Sequence, residues 1–337
     1  MHKILPGFIL FFFLSTAGCK LFAQNTQIRG FIDGITTVKN GQVSFGFEEQ
    51  DLFITSQITD RISFLGESVF KFSPSSPTDF DVSVERVVFK YNYSGNNSIL
   101  FGKHHTPIDY WNDSYHHGRV FYPTIYRPLL FDANIIPLHT TGFRLQGENF
   151  GNLKFGYDFM VGNGLGSTDV QDNDKTKSLT AALHFEPFED FRIGASYYHD
   201  IIAKGAIPHG FTQPITQQVD QNLMTGSIAY FGKHFELLAE STLAYNHSDS
   251  IGRKQTSASY VYTGVRIANK LVPYVKVEKI IYQPGEMYYH KDNVTSLIGG
   301  IRYEISYLAV IKLEYEHDNK EIEGRVNMVT AQFAIGF

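Results

Sequence analysis

The last thirteen residues, Arg325-Val-Asn-Met-Val-Thr-Ala-Gln-Phe-Ala-Ile-Gly-Phe337, carry the pattern that decides the fold. Their odd positions read Val329, Ala331, Phe333, Ile335 and Phe337, and their even positions Met328, Thr330, Gln332, Ala334 and Gly336. One face is apolar and the other small or polar, as in a β-strand with two unlike environments. The same alternation recurs upstream. Lys312, Glu314 and Glu316 interleave with Ile311, Leu313 and Tyr315; Lys276 and Glu278 with Val275 and Val277; Glu236 and Glu240 with Phe235, Leu237 and Ala239. Lys154 and Asp158 interleave with Leu153, Phe155, Tyr157 and Phe159.

A half-exposed soluble sheet shows the same dyad, so number and length decide. The pattern predicts sixteen strands, at 27–36, 50–58, 62–72, 80–94, 97–105, 139–148, 152–162, 177–187, 190–202, 222–232, 234–247, 256–269, 271–284, 293–306, 308–319 and 325–337. Many run to ten residues or more, where soluble strands average about five or six and a tilted membrane-crossing strand needs about 9–11. The connections alternate between short turns, such as Gly95-Asn96 and Phe188-Glu189, and longer loops at about 37–49, 73–79, 106–138, 163–176, 203–221, 248–255, 285–292 and 320–324. Short turns on one side and long loops on the other are the layout of a transmembrane β-barrel. The expected fold is therefore all-β: an antiparallel up-and-down barrel of about sixteen strands.

Composition agrees. The 337 residues include 29 Phe and 20 Tyr but only 19% charged residues, which suits strands whose apolar faces need not meet water. A formal charge of -5 argues against a nucleic-acid partner. A single Cys excludes a disulfide scaffold and a Cys-based zinc site. Residues 1–23 read as a signal peptide: Lys3, an apolar run from Ile4 to Leu14, then small residues, with Ala23 before the cut. A rival reading takes Thr16-Ala17-Gly18-Cys19 as a degenerate lipobox with Cys19 lipidated. Without residues 1–23 the chain keeps 27 Lys and Arg against 34 Asp and Glu, a net -7, and no apolar run of about 18 residues. Residues 24–337 form the barrel in this reading.

The terminal strand with Phe333, Ile335 and Phe337 on one face, the signal peptide, and a longest connection that falls third among the long loops together resemble a Gram-negative outer-membrane porin. The resemblance spans residues 24–337 at the level of architecture. It implies that the terminal strand is read by the barrel-assembly machinery, that loop 106–138 folds inward as the constriction, and that the protein sits in outer-membrane lipid, with a homotrimer as the family's usual assembly. The short phosphate-selective branch is the nearest by general character. That branch carries a ladder of arginines, and no clear run of that kind stands in this sequence.

The polar phase of each strand is expected to face the pore. It places Glu67, Lys71, Arg86, Lys90, Arg144, Lys154, Asp158, Arg192, Glu236, Glu240, Arg266, Lys276, Glu278, Arg302, Glu304, Lys312, Glu314 and Glu316 inward, ten basic and eight acidic. A wall of both signs predicts weak ion selectivity or a transverse field, while cross-strand ion pairs that merely brace the barrel are the plainer account of any one of them. The third loop and its approach gather His104, His105, Asp109, Tyr110, Trp111, Asp113, Tyr115, His116, His117 and Arg119, followed by Arg127 and Asp132. Imidazoles with carboxylates can bind a transition metal, but neighbouring His residues point apart on extended backbone, and no metal or cofactor is expected. The other readings are a polar plug hydrogen-bonded to the wall, and a constriction whose Tyr110, Trp111 and Tyr115 stack on a solute. Asp169, Asp172 and Asp174 lack calcium-loop spacing. Neither a phosphate loop nor a nucleophile–base arrangement stands out, so no catalysis is expected. The sequence thus predicts passive diffusion of small hydrophilic solutes. An outer-membrane enzyme of lipid hydrolysis, or a barrel binding a ligand or metal at the His-rich loop, are the alternatives.

Overall fold

The computed structural model describes residues 25–73, 80–115, 118–165, 172, 176–208, 211–289 and 292–337. The expected signal peptide, Cys19, His116, His117, Asp169 and Asp174 lie outside them. The sixteen strands are β1 (Asn25–Lys39), β2 (Gln42–Gln57), β3 (Ile62–Phe72), β4 (Phe80–Ser94), β5 (Asn97–His105), β6 (His139–Phe150), β7 (Phe155–Gly162) and β8 (Ser178–Phe188), then β9 (Phe191–Ile202), β10 (Val219–Phe231), β11 (Phe235–Ser248), β12 (Gly252–Val265), β13 (Leu271–Tyr282), β14 (Val294–Ser306), β15 (Ala309–Lys320) and β16 (Gly324–Gly336). Each pairs antiparallel with its sequence neighbours, and β1 closes on β16 from Phe31↔Gly336 to Lys39↔Met328. Closure leaves no sheet edge, the condition for holding strands in hydrocarbon, where an unpaired backbone group costs several kcal/mol.

Alternation decides which side chains enter the barrel. On β16, Thr330, Gln332 and Ala334 are buried inside, whereas Val329, Phe333 and Phe337 stand exposed outside. On β15, Lys312 and Glu314 are buried while Ile311, Leu313 and Tyr315 face out. The seam is sealed at Phe337, whose N–H donates to Gly30 O and whose carbonyl accepts from Gly30 N–H, each at 2.9 Å.

Every expected strand is present, and the ends agree within four residues except at β2. The segment 37–49, read as the first long loop, is instead a continuation of β1 and β2 around a two-residue turn. Asn40 and Gly41 have φ of 52° and 79°, and Asn-Gly is the pair that best tolerates two successive positive φ values between twisted strands. Beyond the turn, Val43, Phe45 and Phe47 continue the outward apolar phase. The sixth and eighth connections shrink to residues 249–251 and 321–323, so only some of the loops on that side are long. β6 runs on to Phe150, so the next turn is formed by residues 151–154, with Gly151 at φ 64° and Lys154 at φ 44°.

The barrel is not an open pipe. The inward phase of β9–β13 carries Tyr198, Leu223, Leu238, Tyr260, Tyr262, Tyr274 and Ile280, all buried, and these pack on the third loop. An aromatic interior therefore fills part of the lumen, against the expectation of a purely polar one.

The third loop as candidate functional site

Residues 106–138 leave the end of β5 and return to the start of β6. The base of this loop is pinched shut. Thr106 N–H donates to Leu138 O at 3.1 Å, and the amide of Asn112 donates to Thr106 O and Leu138 O at 2.9 and 3.1 Å. Inside the barrel the loop forms two short helices, α1 (Tyr110–Ser114) and α2 (Leu129–Asp132). Ile108, Trp111, Tyr122, Thr124 and Ile125 are fully or almost fully buried.

The wall holds this loop mainly by its backbone. Glu240 on β11 accepts the N–H groups of Tyr110 and of Trp111, the latter at 3.0 Å, and also the hydroxyl of Tyr260. Asp51 on β2 accepts Gly118 N–H (3.4 Å), Glu314 on β15 accepts Ile125 N–H (2.7 Å), and Glu278 on β13 accepts Leu129 N–H (3.0 Å). Cations take the carbonyls. Lys312 donates to Arg119 O and Thr124 O at 2.6 and 3.0 Å, and Arg302 to Pro123 O at 3.1 Å. Buried charges are tolerable only when paired and hydrogen-bonded. Here each charge meets an orphan backbone group of an irregular loop, and both penalties are offset by charge-assisted hydrogen bonds.

Ion pairs complete the fastening. Arg302 bridges Glu236 at 2.7 and 3.0 Å and Glu304 at 3.0 Å, and Arg266 joins the same two carboxylates at 2.6 and 2.7 Å. From the loop, Arg119 approaches Glu49 (3.4 Å) and Asp33 (3.9 Å), and Arg127 approaches Glu49 (3.9 Å). Asp113 on α1 receives Arg144 at 3.3 Å and Arg192 at 3.2 Å. Burial alone would raise the Asp113 carboxyl, but the two guanidinium groups outweigh it and hold it below the ordinary carboxylate value. Asp109, just before α1, is the opposite case. Burial pushes its carboxyl up to about 7, against the hydroxyls of Thr225 and Thr242. Its backbone sits at φ 61°, ψ 154°, a region populated almost only by glycine and costing a side-chain-bearing residue on the order of 1–3 kcal/mol.

Cavities lie on both sides of the loop. A chamber of about 860 Å³ on the long-loop side is lined by Leu129, Asp132, Tyr282, Glu286, Tyr289 and Glu321. A chamber of about 530 Å³ reaches the short-turn side, lined by Arg86, Lys90, His104, Asp113, Arg144 and Gln146. A third, of about 30 Å³ and large enough for about one water, lies between α1 and β7–β10 beside Asp109, Asp113 and Arg192.

These positions separate the expected site residues. Arg86, Lys90, Arg144, Asp113 and His104 meet around the 530 Å³ chamber, where Arg86 pairs with Glu67, Arg144 with Asp158 at 2.7 Å, and Lys90 donates to Gln146 at 3.0 Å. His104 lies on β5 with Nε2 3.3 Å from Gly142 O, and His105 ends β5 with its ring 5.6 Å from that of His139. Among the described residues no three His, Cys, Asp or Glu side chains are arranged to hold a metal ion. Trp111 presents no free face to a solute. It is 1% exposed and packed on Tyr115, Tyr122 and Tyr260, so it anchors the plug instead of serving as the stacking surface the sequence suggested. Tyr110 is likewise taken up, stacked on Phe231 and lying under Arg192. Lys71 stands exposed at the outer end of β3. Lys154 lies in the turn of residues 151–154, paired with Glu186 at 3.1 Å, and not on the wall. Glu236, Glu240, Lys276 and Arg302 are on the wall but buried beneath the loop. Asp33, Glu49 and Asp51 are not among the residues that the alternation points to. Glu49 falls in the segment read as the first loop, Asp51 closes the polar run Glu48-Glu49-Gln50-Asp51 that reads as the edge of that loop, and Asp33 is a single acid between Ile32 and Gly34 with no run to mark it.

Compared by sequence, no protein-family model and no curated protein matches the chain. Compared by structure, solved barrels match over nearly its whole length. OmpT, an outer membrane protein of Vibrio cholerae in its trimer form, superposes with a TM-score of 0.65 at 14% identity, covering 94% of this chain and 100% of that one. An anion-selective porin from Comamonas acidovorans gives 0.65 at 10% identity over 93% and 100%. The outer membrane channel DcaP of Acinetobacter baumannii gives 0.63 at 12% identity over 93% and 97%. At such identities the likeness is one of architecture alone: the chain is a closed sixteen-stranded antiparallel barrel, similar in fold to these outer-membrane proteins.

Proposed function

We propose that the protein is an outer-membrane channel for passive diffusion of small hydrophilic solutes or ions, with the third loop setting its cross-section. The observation that carries this reading is the loop itself: it crosses the lumen, is fastened to β1, β2, β6, β9, β11 and β13–β15, and leaves charged, water-sized or larger cavities on both sides. A structure built only to brace a barrel needs neither the long loop nor the chambers. The reading assigns no catalysis, because a diffusion channel works through cross-section and field alone.

The walls of the 530 Å³ chamber carry both signs: Arg86, Lys90 and Arg144 face Asp113, with Glu67 and Asp158 pairing the two arginines. Weak selectivity follows, and selectivity for phosphate is not part of the proposal. Residues 1–23 as an export signal, outer-membrane lipid as the surroundings, the barrel-assembly machinery acting on Phe333, Ile335 and Phe337, and a homotrimer like the trimer form of OmpT belong to the same reading.

Planar-bilayer recording tests it. The reconstituted protein should pass a steady ionic current, and deletion of residues 109–131 should raise the single-channel conductance. Absence of current refutes the channel; an unchanged conductance in the deletion variant refutes the constriction. Lipid turnover abolished by a single Ser or His substitution would favour the enzyme instead.

A further inference from the structure

Two buried carboxylates meet where α1 touches the wall. Glu240 is 3% exposed and saturated by the N–H groups of Tyr110 and Trp111 and the hydroxyl of Tyr260. Asp109, directly preceding those two residues, is 8% exposed; one of its oxygens accepts Thr242 Oγ1 at 3.2 Å and the other has no hydrogen-bond partner. The groups around the pair are almost all neutral or acidic. Ser196 of β9, Thr225 of β10, Thr242 of β11 and Tyr260 of β12 supply hydroxyls. On the side of the small cavity, Arg144 and Arg192 are drawn to Asp113 towards the other end of α1, and Asp158 and His184 line the cavity beside Arg192. Two negative charges with no cation of their own are strongly unfavourable in so dry a place.

We propose that Asp109 and Glu240 form a proton-operated latch on the constriction: with one proton between them α1 stays seated against β11, and loss of that proton releases it. The strained backbone of Asp109 points the same way. It is a conformation the loop keeps only while its neighbours hold it, so a change of one charge there is transmitted to α1 directly. The inference rests on the channel reading for its consequence, but not for its test.

The direction follows from linkage. In the seated loop Asp109 titrates near 7, whereas a released, solvated Asp titrates near 3.8. Between these values release sets free one proton, so the ratio of released to seated loop rises by up to tenfold per pH unit, roughly a thousandfold in all. Below about pH 4 both forms hold the proton and above about pH 7 both have lost it, so the ratio levels off at each end.

Trp111 is the only tryptophan of the chain and lies two residues from Asp109, so its fluorescence reports the seat without regard to current. The test records acrylamide quenching of Trp111 in lipid vesicles, and conductance in planar bilayers, from pH 4 to 8. The wild type should show quenching and channel opening that increase from pH 4 to 7 and then plateau. Asp109→Asn, which keeps an acceptor for Thr242 but cannot ionise, should stay seated and flat; Glu240→Gln, which leaves Asp109 buried and keeps one acceptor oxygen for the loop, should still respond to pH. Wild-type Trp111 quenching that does not change with pH overturns the latch, as does a wild-type profile in Asp109→Asn. A Trp111 response without any current leaves the latch standing and removes the channel; a current without a Trp111 response does the reverse.

Discussion

Replacing Glu314 by alanine isolates the contribution of one wall carboxylate to the seat of the loop. A single oxygen of Glu314 accepts two donors, Ile125 N–H at 2.7 Å and Tyr274 O–H at 2.6 Å. Ile125 is fully buried and Tyr274 nearly so, so water does not readily replace the lost acceptor. A buried donor left without a partner costs about 1–3 kcal/mol; two of them cost about 2–6 kcal/mol. Taking roughly 4 kcal/mol, the ratio of seated to unseated loop falls by about a thousandfold. The barrel itself should persist, because its strands, β15 included where Glu314 sits opposite Gly300 and Thr330, pair by backbone bonds that the Glu314 side chain does not make. Glu314→Gln keeps an oxygen in place and should recover most of the loss. The measurements are single-channel conductance and acrylamide quenching of Trp111, whose ring packs edge-on to Tyr122 at 5.3 Å, three residues from Ile125. Glu314→Ala should be more conductive and more quenched than Glu314→Gln. If alanine matches the wild type in both, the claim that wall carboxylates hold the loop by its backbone is wrong.

Other outcomes follow from single contacts. Asp113→Asn removes the anion shared by Arg144 and Arg192, leaving Arg144 its bond to Asp158 and Arg192 its contact with Tyr110; reversal potentials across a salt gradient should shift toward anions, by an amount that shrinks as salt screens the field. Because the two arginines keep Asp113 ionised below the ordinary carboxylate range, that difference should persist as pH is lowered to about 4. Gly30→Val places a side chain against the ring of Phe337 and should lower the yield of folded, heat-resistant barrel in gel-shift assays. Gly102→Ala should do the same, since Gly102 has φ 127° and a Cβ there runs into the carbonyl of Val87; folding yields equal to the wild type would contradict both.

The barrel was legible in the sequence because its cause is local and periodic. Lipid outside and charge inside force a two-residue alternation, and Lys312, Glu314 and Glu316 against Ile311, Leu313 and Tyr315 display it without help from neighbouring strands. The third loop was legible for the converse reason: alternation stops at His105 and resumes at His139, with Pro107, Pro123, Pro128 and Pro137 between. The turn at Asn40-Gly41 was also legible, since Asn-Gly between alternating residues is a hairpin signature; the nearby Glu48 and Glu49 masked it by looking like loop. Tyr274 could have been placed inside, because it shares its phase with Lys276 and Glu278, yet aromatic strand residues suggest a lipid-facing girdle first. What no pattern shows is the destination of Glu240, Glu278 and Glu314. Their partners are backbone N–H groups about 130 to 190 residues away, and a backbone group is the same in every residue, so it leaves no mark in a sequence.

That last property has a use. The wall grips the loop at the amides of Tyr110, Trp111, Gly118, Ile125 and Leu129 and at the carbonyls of Arg119, Pro123 and Thr124. Grip and lining therefore fall largely on different atoms: Trp111, Thr124 and Ile125 are held by their backbone and buried, while Leu129 is held by its N–H and lines the larger chamber together with Asp132. The scaffold behaves as a chuck that takes interchangeable bits: if the proposed channel is right, side chains facing the chambers can be recut to change what passes, while the clamp that holds the backbone stays as it is.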